Sequence, residues 1–258
     1  MLFVADIGNT SINAGVYDGT TLIQTWSIST DKNKTEDEYG ALLLSIMCHK
    51  NLAASIDSGI ISSVVPAITD KFKNALERYV GIKVHVLTYE TKTGIMLDVE
   101  NPKEVGCDRI ANACAAHKLY TAPAVVVDFG TATNFDIVTA DGRFIGGIIA
   151  PGMRFSAEAF SSSTNLLPKI KLDSVERVVG KNTVQNMLSG VVIGHAAMID
   201  GLITRIEEEL QTPVATIATG GFSSIITKHM KRQFDYFNPN LTLEGLRLIY
   251  EMNSILST

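Results

Sequence analysis

Two stretches of the sequence place an aspartate and a glycine at the end of an apolar run. Asp6-Ile7-Gly8 follows Leu2–Ala5, and Asp128-Phe129-Gly130 follows Ala124–Val127. Glycine lets the backbone approach a phosphate closely, and successive backbone amides can form an anion-binding concavity. One such turn alone is more often a plain tight turn shaped by Asp and Gly. Two copies at matching strand ends predict a pair of phosphate-binding turns.

The two turns need positive charge that the chain does not supply. The sequence has no G-x-x-x-x-G-K-[ST] loop, no G-x-G-x-x-G after a strand and no H-E-x-x-H, so the common nucleotide and metalloprotease signatures are excluded. The hydroxyls of Thr10 and Ser11 add hydrogen-bond donors only. We therefore expect Asp6 and Asp128 to hold cations beside the phosphates, directly or through water: Mg²⁺ and a bound monovalent cation.

A third stretch, Asn101–Asn112, combines a helix start with ionisable groups. Asn101 as N-cap, Pro102 at the first helical position and Glu104 at the third predict that a helix begins here. A glycine inside its first turns would indicate close approach by a ligand or backbone. Asp108-Arg109 is either a solvated ion pair or, beside a phosphate site, a general base with a partner for a substrate carboxylate.

Other glycine-rich segments leave structural and functional interpretations open. Loop formation and ligand binding explain them equally well; they are Gly146–Gly152, Gly180–Thr183 and Ala218–Ser223. A long helical pattern from about 183 to 210 carries small residues on one stripe, which are Gly190, Gly194, Ala197 and Gly201. That stripe predicts a close-packed helix partner, either within the chain or across a dimer.

The elements that must position these residues repeat along the chain. Each Asp-Gly turn leads into a β-prone run, a D-G pair (Asp18-Gly19 and Asp141-Gly142) and a second β-prone run, which predicts a hairpin in each half. Between and after the hairpins, helical patterns alternate with apolar strands, as in mainly parallel sheets covered by helices. An internal repeat of this length predicts two similar α/β domains, with boundaries at 1–120 and 121–258 near Pro123.

The predicted elements of the first half are strands at 2–5, 12–17, 21–28, 58–65 and 83–87, with helices at 35–49 and 67–79. In the second half, 124–127, 135–138 and 214–218 predict strands, and a helix follows Gly221. These assignments rest on apolar runs and on 3.6-residue periodicity.

Composition restricts the class of protein. The 258 residues are 46% hydrophobic, enough for a substantial core, and the net charge of −5 gives no overall attraction for nucleic acid. Three cysteines without C-x-x-C spacing predict reduced thiols rather than disulfides or a zinc site. The N-terminus lacks a basic leader, and no run approaches the ~18 uninterrupted apolar residues of a membrane span. We therefore expect a cytoplasmic protein that binds neither nucleic acid nor membranes.

Taken together, the motifs resemble those of the type III pantothenate kinases, a branch of the superfamily that includes acetate and sugar kinases, the heat-shock ATPases and actin. The stretches that carry the resemblance are DIGNTSIN at 6–13, NPKEVGCDRIAN at 101–112, DFGTATNFDIV at 128–138, GGIIAPG at 146–152, GKNT at 180–183 and ATGG at 218–221. They span nearly the whole chain in the family's order.

The resemblance implies an α/β fold of two duplicated actin-like, ribonuclease H-like domains, with mixed sheets covered by helices and ATP in the cleft between them. It also implies that ATP phosphorylates pantothenate to 4'-phosphopantothenate, the first step of coenzyme A biosynthesis. Mg²⁺ and a monovalent cation, K⁺ or NH4⁺, would be required. The family's homodimer, whose interface helps form the pantothenate pocket, is implied as well.

Positions in this sequence that match the family's site residues give specific expectations. The matching ATP contacts are Asp6, Ile7, Gly8, Asn9, Thr10, Ser11, Ile12, Asn13 and Thr131. Asp128 matches the monovalent-cation ligand. The matching pantothenate contacts are Val99, Gly106, Cys107, Asp108, Arg109 and Thr183, with Asp108 as the catalytic base.

The sequence also departs from the family pattern. Val99 stands where many relatives have a tyrosine that touches substrate, Cys107 replaces the usual alanine, and Asn134 replaces a common threonine. These departures concern the details of the pocket and not the reaction class. Two other functions stay open: an ATP-binding transcription accessory protein, and an ATP or polyphosphate hydrolase of the same superfamily.

Overall fold

The computed structural model describes residues 1–163 and 167–254. The chain divides into two compact units, one made of Met1–Ala115 together with the segment from Leu241, the other of Ala116–Asn240. The sequence-based division into 1–120 and 121–258 differs from this one mainly in the C-terminal segment, which it assigned to the second domain.

The first unit is built on a five-stranded mixed sheet. Its strands are β1 (Leu2–Ile7), β2 (Ser11–Asp18), β3 (Thr21–Ser29), β4 (Ser58–Ser63) and β5 (Lys83–Val86), in the order β3-β2-β1-β4-β5. β1 and β2 form an antiparallel pair, as do β2 and β3, whereas β4 lies parallel to β1 and to β5. Gly19 has a φ of +56°, so the predicted D-G hairpin is confirmed with glycine in the left-handed conformation.

Helices and short turns complete the first unit. They are α1 (Glu36–His49), α2 (Pro66–Ala75), a π-helical continuation at Leu76–Val80, 3-10 turns at Ala53–Ser55 and Pro102–Glu104, and α8 (Leu241–Ser254). The short strand β6 (Met96–Leu97) also lies in this unit, and α3 (Cys107–Leu119) begins in it and ends after the boundary at Ala115. α1 begins with a capping box in which Thr35 and Glu38 bond each other's backbone amides. Pro66 starts α2, where its missing N–H costs nothing.

Apolar side chains cover both faces of this sheet. One face carries Ala5, Ile7 and Ile12 against α1 and α2, and the other carries Leu2 and Val4 with Ile60. Leu243, Leu246 and Ile249 of α8 pack on that second face. This packing explains why the C-terminal segment belongs to the first unit: without α8, the face would present apolar side chains to water.

The second unit repeats the plan of the first. Its strands are β7 (Ala124–Phe129), β8 (Ala132–Val138), β9 (Arg143–Pro151), β10 (Ala215–Thr219) and β11 (Tyr236–Phe237), in the order β11-β10-β7-β8-β9. The β7–β8 and β8–β9 pairs are antiparallel, and β10 lies parallel to β7 and β11. The order β9-β8-β7-β10 corresponds to β3-β2-β1-β4, which confirms the predicted duplication.

The helices of the second unit are α4 (Met153–Ser163), α5 (Thr183–Leu188), α6 (Gly194–Leu210) and α7 (Ser223–Ile226). A π-helical segment, Ser189–Ile193, joins α5 to α6, so the predicted long helix is present. By length and composition Thr183–Leu210 would be able to cross a membrane, a test that the core helix of a soluble protein also passes. Here Ile199, Ile203 and Ile206 pack in the core of the unit.

The predicted helix start at Asn101 is wrong. The Asn101 side chain caps no helix and instead donates from Nδ2 to Oε1 of Glu104, at 2.7 Å. Only a 3-10 turn forms, because Val105 returns to an extended conformation, and α3 begins at Cys107. Gly106 therefore precedes the helix and Asp108 lies in its first turn.

Candidate active site

The first predicted phosphate-binding turn lies between β1 and β2. The Gly8 amide donates to the Ser11 carbonyl at 3.0 Å, which closes the turn. Thr30, just after β3, holds it from the side: its hydroxyl donates to the Gly8 carbonyl at 2.7 Å and its amide donates to the Thr10 carbonyl at 3.0 Å. Asn9 is exposed at the tip. The turn thus presents backbone and side-chain groups to solvent in a fixed conformation.

Asp108 sits in a desolvated environment at the start of α3. Burial raises the pKa of its carboxyl group, and the Arg109 amide and charge oppose that rise only in part. The Arg109 amide donates to Asp108 Oδ1 at 2.9 Å. A Cβ on Gly106 would clash with the same oxygen, so a larger residue there would displace the Asp108 carboxylate. The carboxylate is therefore held over Gly106.

Cys107 links Asp108 to the first turn. Its thiol donates to the Leu87 carbonyl at 3.1 Å. Burial raises the pKa of the thiol, the charges of Asp108 and Asp6 raise it further, and a hydrogen bond with the Ser63 backbone lowers it. The Val64 amide, next in sequence, donates to the Ile7 carbonyl at 3.1 Å. The first unit thus brings the turn at Asp6 and the Gly106–Arg109 segment together, as the sequence predicts.

The second predicted phosphate-binding turn lies between β7 and β8. The Gly130 amide donates to the Ala132 carbonyl at 3.0 Å. A Cβ on Gly152 would lie 2.3 Å from the Thr131 carbonyl oxygen, and one on Gly220 would lie 2.5 Å from Asp128 Oδ1. Both glycines therefore belong to the wall of the turn, and Gly220 has in addition a φ of +87°. This geometry gives those two glycines a role that loop formation alone does not explain.

A buried polar contact lies directly beneath the second turn. Thr133 and His195 are both buried, and Thr133 Oγ1 lies 2.8 Å from His195 Nε2. Burial lowers the pKa of His195, which favours the neutral imidazole. This contact connects β8, at the base of the turn, to the start of α6.

The remaining predicted substrate contacts lie in less enclosed places. Thr183 is exposed at the first position of α5, after Asn182, whose side chain accepts from the Gln185 amide at 2.9 Å as N-cap. Val99 is half-buried in the segment between β6 and the 3-10 turn at Pro102–Glu104. Thr131, predicted as an ATP contact, is exposed on the second turn.

Sequence comparison decides the family. A model of the type III pantothenate kinases matches residues 2–205. A type III pantothenate kinase from Exiguobacterium sp. is 43% identical over 254 residues, which cover 98% of this chain and 99% of that protein. The chain belongs to the type III pantothenate kinase family. The resemblance drawn from the motifs is thereby confirmed.

Solved structures show the fold of this type III pantothenate kinase. A Campylobacter jejuni protein described as a Baf family transcriptional activator aligns with a TM-score of 0.61 at 19% identity, over 98% of this chain and 99% of that one. A ROK hexokinase from Thermus thermophilus aligns with a TM-score of 0.53 at 14% identity, over 98% and 99%. These likenesses and the two mixed sheets confirm the predicted actin-like α/β class.

The chain offers oxygen atoms that suit a hard cation at the second turn. Asp128 and Asn134 lie directly opposite each other on β7 and β8. The Oδ1 atom of Asn134 is buried and accepts no hydrogen bond within the described residues. A buried acceptor beside a carboxylate is costly unless a positive group lies nearby, so the donor set fits a cation. Among residues 1–163 and 167–254, no group of three or more His, Cys, Asp and Glu side chains is arranged to hold a metal.

Sequence reasoning missed three residues of this kinase. They are Thr30, which holds the first turn, His195, beneath the second turn, and Ser62, whose hydroxyl donates to Asp6 Oδ1. Ser62 had one available signal, since hydroxyl residues end the apolar run of β4. Thr30 lies 22 residues from Gly8, and His195 lies 62 residues from Thr133, so no local pattern marks either contact.

Proposed function

We propose that this type III pantothenate kinase transfers the γ-phosphoryl group of ATP to the primary hydroxyl of pantothenate, giving 4'-phosphopantothenate for coenzyme A biosynthesis. The observation that carries the proposal is the Asp108 carboxylate, desolvated at the start of α3 beside the first phosphate turn. A carboxylate whose pKa is raised is a better general base than one in water. Asp108 accepts the hydroxyl proton as the oxygen attacks the phosphorus in line.

The two turns supply the positioning. The turn at 6–13 and Thr131 bind the phosphates of ATP through backbone amides and hydroxyls. Such positioning provides most of the rate acceleration in enzymatic phosphoryl transfer. Mg²⁺ held by Asp6, and K⁺ or NH4⁺ held by Asp128, would neutralise phosphate charge. The orphaned Asn134 oxygen opposite Asp128 supports the second assignment.

Pantothenate is an anion with a hydroxyl at its reacting end. Arg109, next to the base, pairs with its carboxylate, because guanidinium and carboxylate form two parallel hydrogen bonds. The other proposed contacts are Val99, Gly106, Cys107 and Thr183. Valine at 99 offers only apolar contact, so substrate affinity depends more on Arg109 and the backbone.

We also propose a homodimer formed through the long helix. Gly190, Gly194, Ala197 and Gly201 are exposed, and a Cβ on any of the three glycines would meet no described atom within 4 Å apart from its chain neighbours and its own helix backbone. The close-packed partner predicted from these small residues is therefore assigned to a second copy of the chain. The net charge of −5 gives no overall attraction for nucleic acid, so we propose an enzyme without a nucleic-acid partner and place it in the cytoplasm.

The experiment measures ADP release with and without pantothenate, in potassium and in sodium. Pantothenate-dependent release that is faster in potassium is the expected result. Release that does not depend on pantothenate would instead indicate an ATP or polyphosphate hydrolase. Nucleotide binding without any ADP release would indicate a regulatory protein, the third function weighed from the sequence.

A further inference from the structure

Each unit places its turn aspartate in the middle of a row of three side chains across neighbouring strands. In the first unit Asp6 lies opposite Ser62 on parallel strand β4 and opposite Asn13 on antiparallel strand β2. In the second unit Asp128 lies opposite Thr219 on β10 and Asn134 on β8. The same order of hydroxyl, carboxylate and amide thus occurs twice.

The members of a row project from the same face of their sheet. Residues directly opposite on adjacent strands share a face, and successive residues of one strand alternate between faces. Ala5 and Ile7 point into the core formed with α1 and α2. Asp6, between them, points to the other face together with Ser62. The row is therefore set by strand order and register, which the sequence does not display.

Ser62 is the member of the first row with a defined bond to the carboxylate. Its side chain has 0% exposure, and its hydroxyl donates to Asp6 Oδ1. A buried hydroxyl that donates to a carboxylate holds that oxygen in place. Asp6 follows the buried residues of β1 and leads directly into the phosphate turn. Rotation of its carboxylate is thus limited by Ser62.

We infer that Ser62 is a positioning residue for phosphoryl transfer, which acts through Asp6. By holding one carboxylate oxygen, Ser62 fixes the direction in which Asp6 presents its charge to the Mg²⁺ that accompanies the nucleotide. The inference rests on the proposed function, in which Asp6 is the ligand of that cation. Partners that orient a metal ligand typically change metal affinity or activity by about 10- to 100-fold when removed.

The test compares Ser62→Ala, Ser62→Thr and a matched control, Ser58→Ala. Ser58 lies on the same strand, and its hydroxyl also donates to an aspartate, Asp57, at the other end of β4. The first readout is the affinity for ADP with and without Mg²⁺, measured by calorimetry. The second is the set of steady-state constants for ATP and for pantothenate.

Ser62→Ala is expected to weaken Mg²⁺-dependent ADP binding about 10- to 100-fold, with Mg²⁺-free binding and the KM for pantothenate unchanged. Ser62→Thr keeps a hydroxyl and is expected to restore most of the Mg²⁺ dependence. Ser58→Ala should behave as the unaltered protein. Wild-type Mg²⁺ dependence in Ser62→Ala would overturn the inference, as would an equal loss in Ser58→Ala.

A folding defect is separated from a positioning defect by Ser62→Cys, in which a weaker donor of similar shape replaces the hydroxyl. An intermediate loss of Mg²⁺ dependence is expected, and a full loss of nucleotide binding with or without Mg²⁺ would count against the inference. If the proposed function is wrong, the unaltered protein will release no ADP in response to pantothenate, which is a different measurement. The calorimetric comparison remains decisive for Ser62 in that case.

Discussion

At the scale of single residues, the site places a carboxylate where water is scarce. Burial raises the pKa of Asp108, so the folded protein holds the proton more tightly than the unfolded chain does. The stabilising contribution of such a group is present below its unfolded pKa and is lost as pH rises through the folded pKa. At neutral pH, which lies above the unfolded pKa, Asp108 therefore lowers the free energy of unfolding.

Asp108→Asn is expected to lower turnover on the order of 10²- to 10⁴-fold and to leave ATP binding intact. The same change should raise the free energy of unfolding at neutral pH, because asparagine does not ionise. Denaturant unfolding at neutral and acid pH, with turnover and calorimetry, measures all three. The difference in stability between the two proteins should shrink as the pH falls from the folded pKa towards the unfolded pKa.

Asp57→Asn is a control in which the expected change in the free energy of unfolding has the opposite sign. The Ser58 hydroxyl and the N-terminal amino group lower the pKa of Asp57, so loss of this carboxylate should slightly lower the free energy of unfolding at neutral pH and leave turnover unchanged.

Unchanged turnover in Asp108→Asn would remove Asp108 from the mechanism. A lower stability of that variant at neutral pH would contradict its desolvation.

At the scale of elements, local signals in the sequence were sufficient for most helices and strands. The D-G hairpins, the start of α1 at its Thr35 capping box and the long helix from Thr183 follow from nearest-neighbour chemistry. The start of α3 does not. Asn101, Pro102 and Glu104 fit a helix start, yet Val105 turns extended and the helix begins at Cys107. The local pattern at Asn101–Glu104 therefore does not determine where α3 begins.

The contact between α6 and the base of the second turn gives a prediction at this scale. Burial lowers the pKa of His195 in the folded state. Stability from the neutral imidazole is then complete above the unfolded pKa, near 6.5, and is lost as pH falls towards the folded pKa, by up to about 1.4 kcal/mol per pH unit. Protonation would also leave His195 Nε2 able only to donate in its contact with Thr133 Oγ1.

His195→Gln is expected to flatten the decline of unfolding free energy below about pH 6.5, because glutamine can bond Thr133 without titrating. His49→Gln, at the exposed end of α1, is the matched control and should retain the wild-type profile. Denaturant unfolding at a series of pH values gives the comparison. A wild-type decline in His195→Gln would show that another group carries the acid sensitivity.

At the scale of the whole molecule, the chain leaves its first unit, builds the second and then returns. α8 packs on the sheet face that carries Leu2 and Val4, and a Cβ on Gly245 would lie 2.0 Å from the Ala111 carbonyl oxygen of α3. A repeat in the sequence reveals two similar halves but not which half a terminal helix joins. The rows of side chains at Asp6 and Asp128 are likewise hidden from sequence reading, because strand order and register determine which residues lie opposite each other.

The exposed stripe of small residues on the long helix belongs to this scale too. Gly201 lies within α6, and no described atom would lie within 4 Å of a Cβ there. Arginine has a better helix propensity than glycine, so Gly201→Arg should leave each chain folded. If two copies pack through this stripe, a long charged side chain prevents their close approach.

Sedimentation of the unaltered protein should therefore give twice the chain mass of 27.9 kDa, and Gly201→Arg should give the single chain. Because the family's interface is expected to help form the pantothenate pocket, the variant should show a raised KM for pantothenate while ADP binding persists. Glu209→Arg introduces the same residue at an exposed position of α6, and it should stay dimeric. Dimeric Gly201→Arg would place the contact between copies on another surface, and the small residues would then need a different explanation.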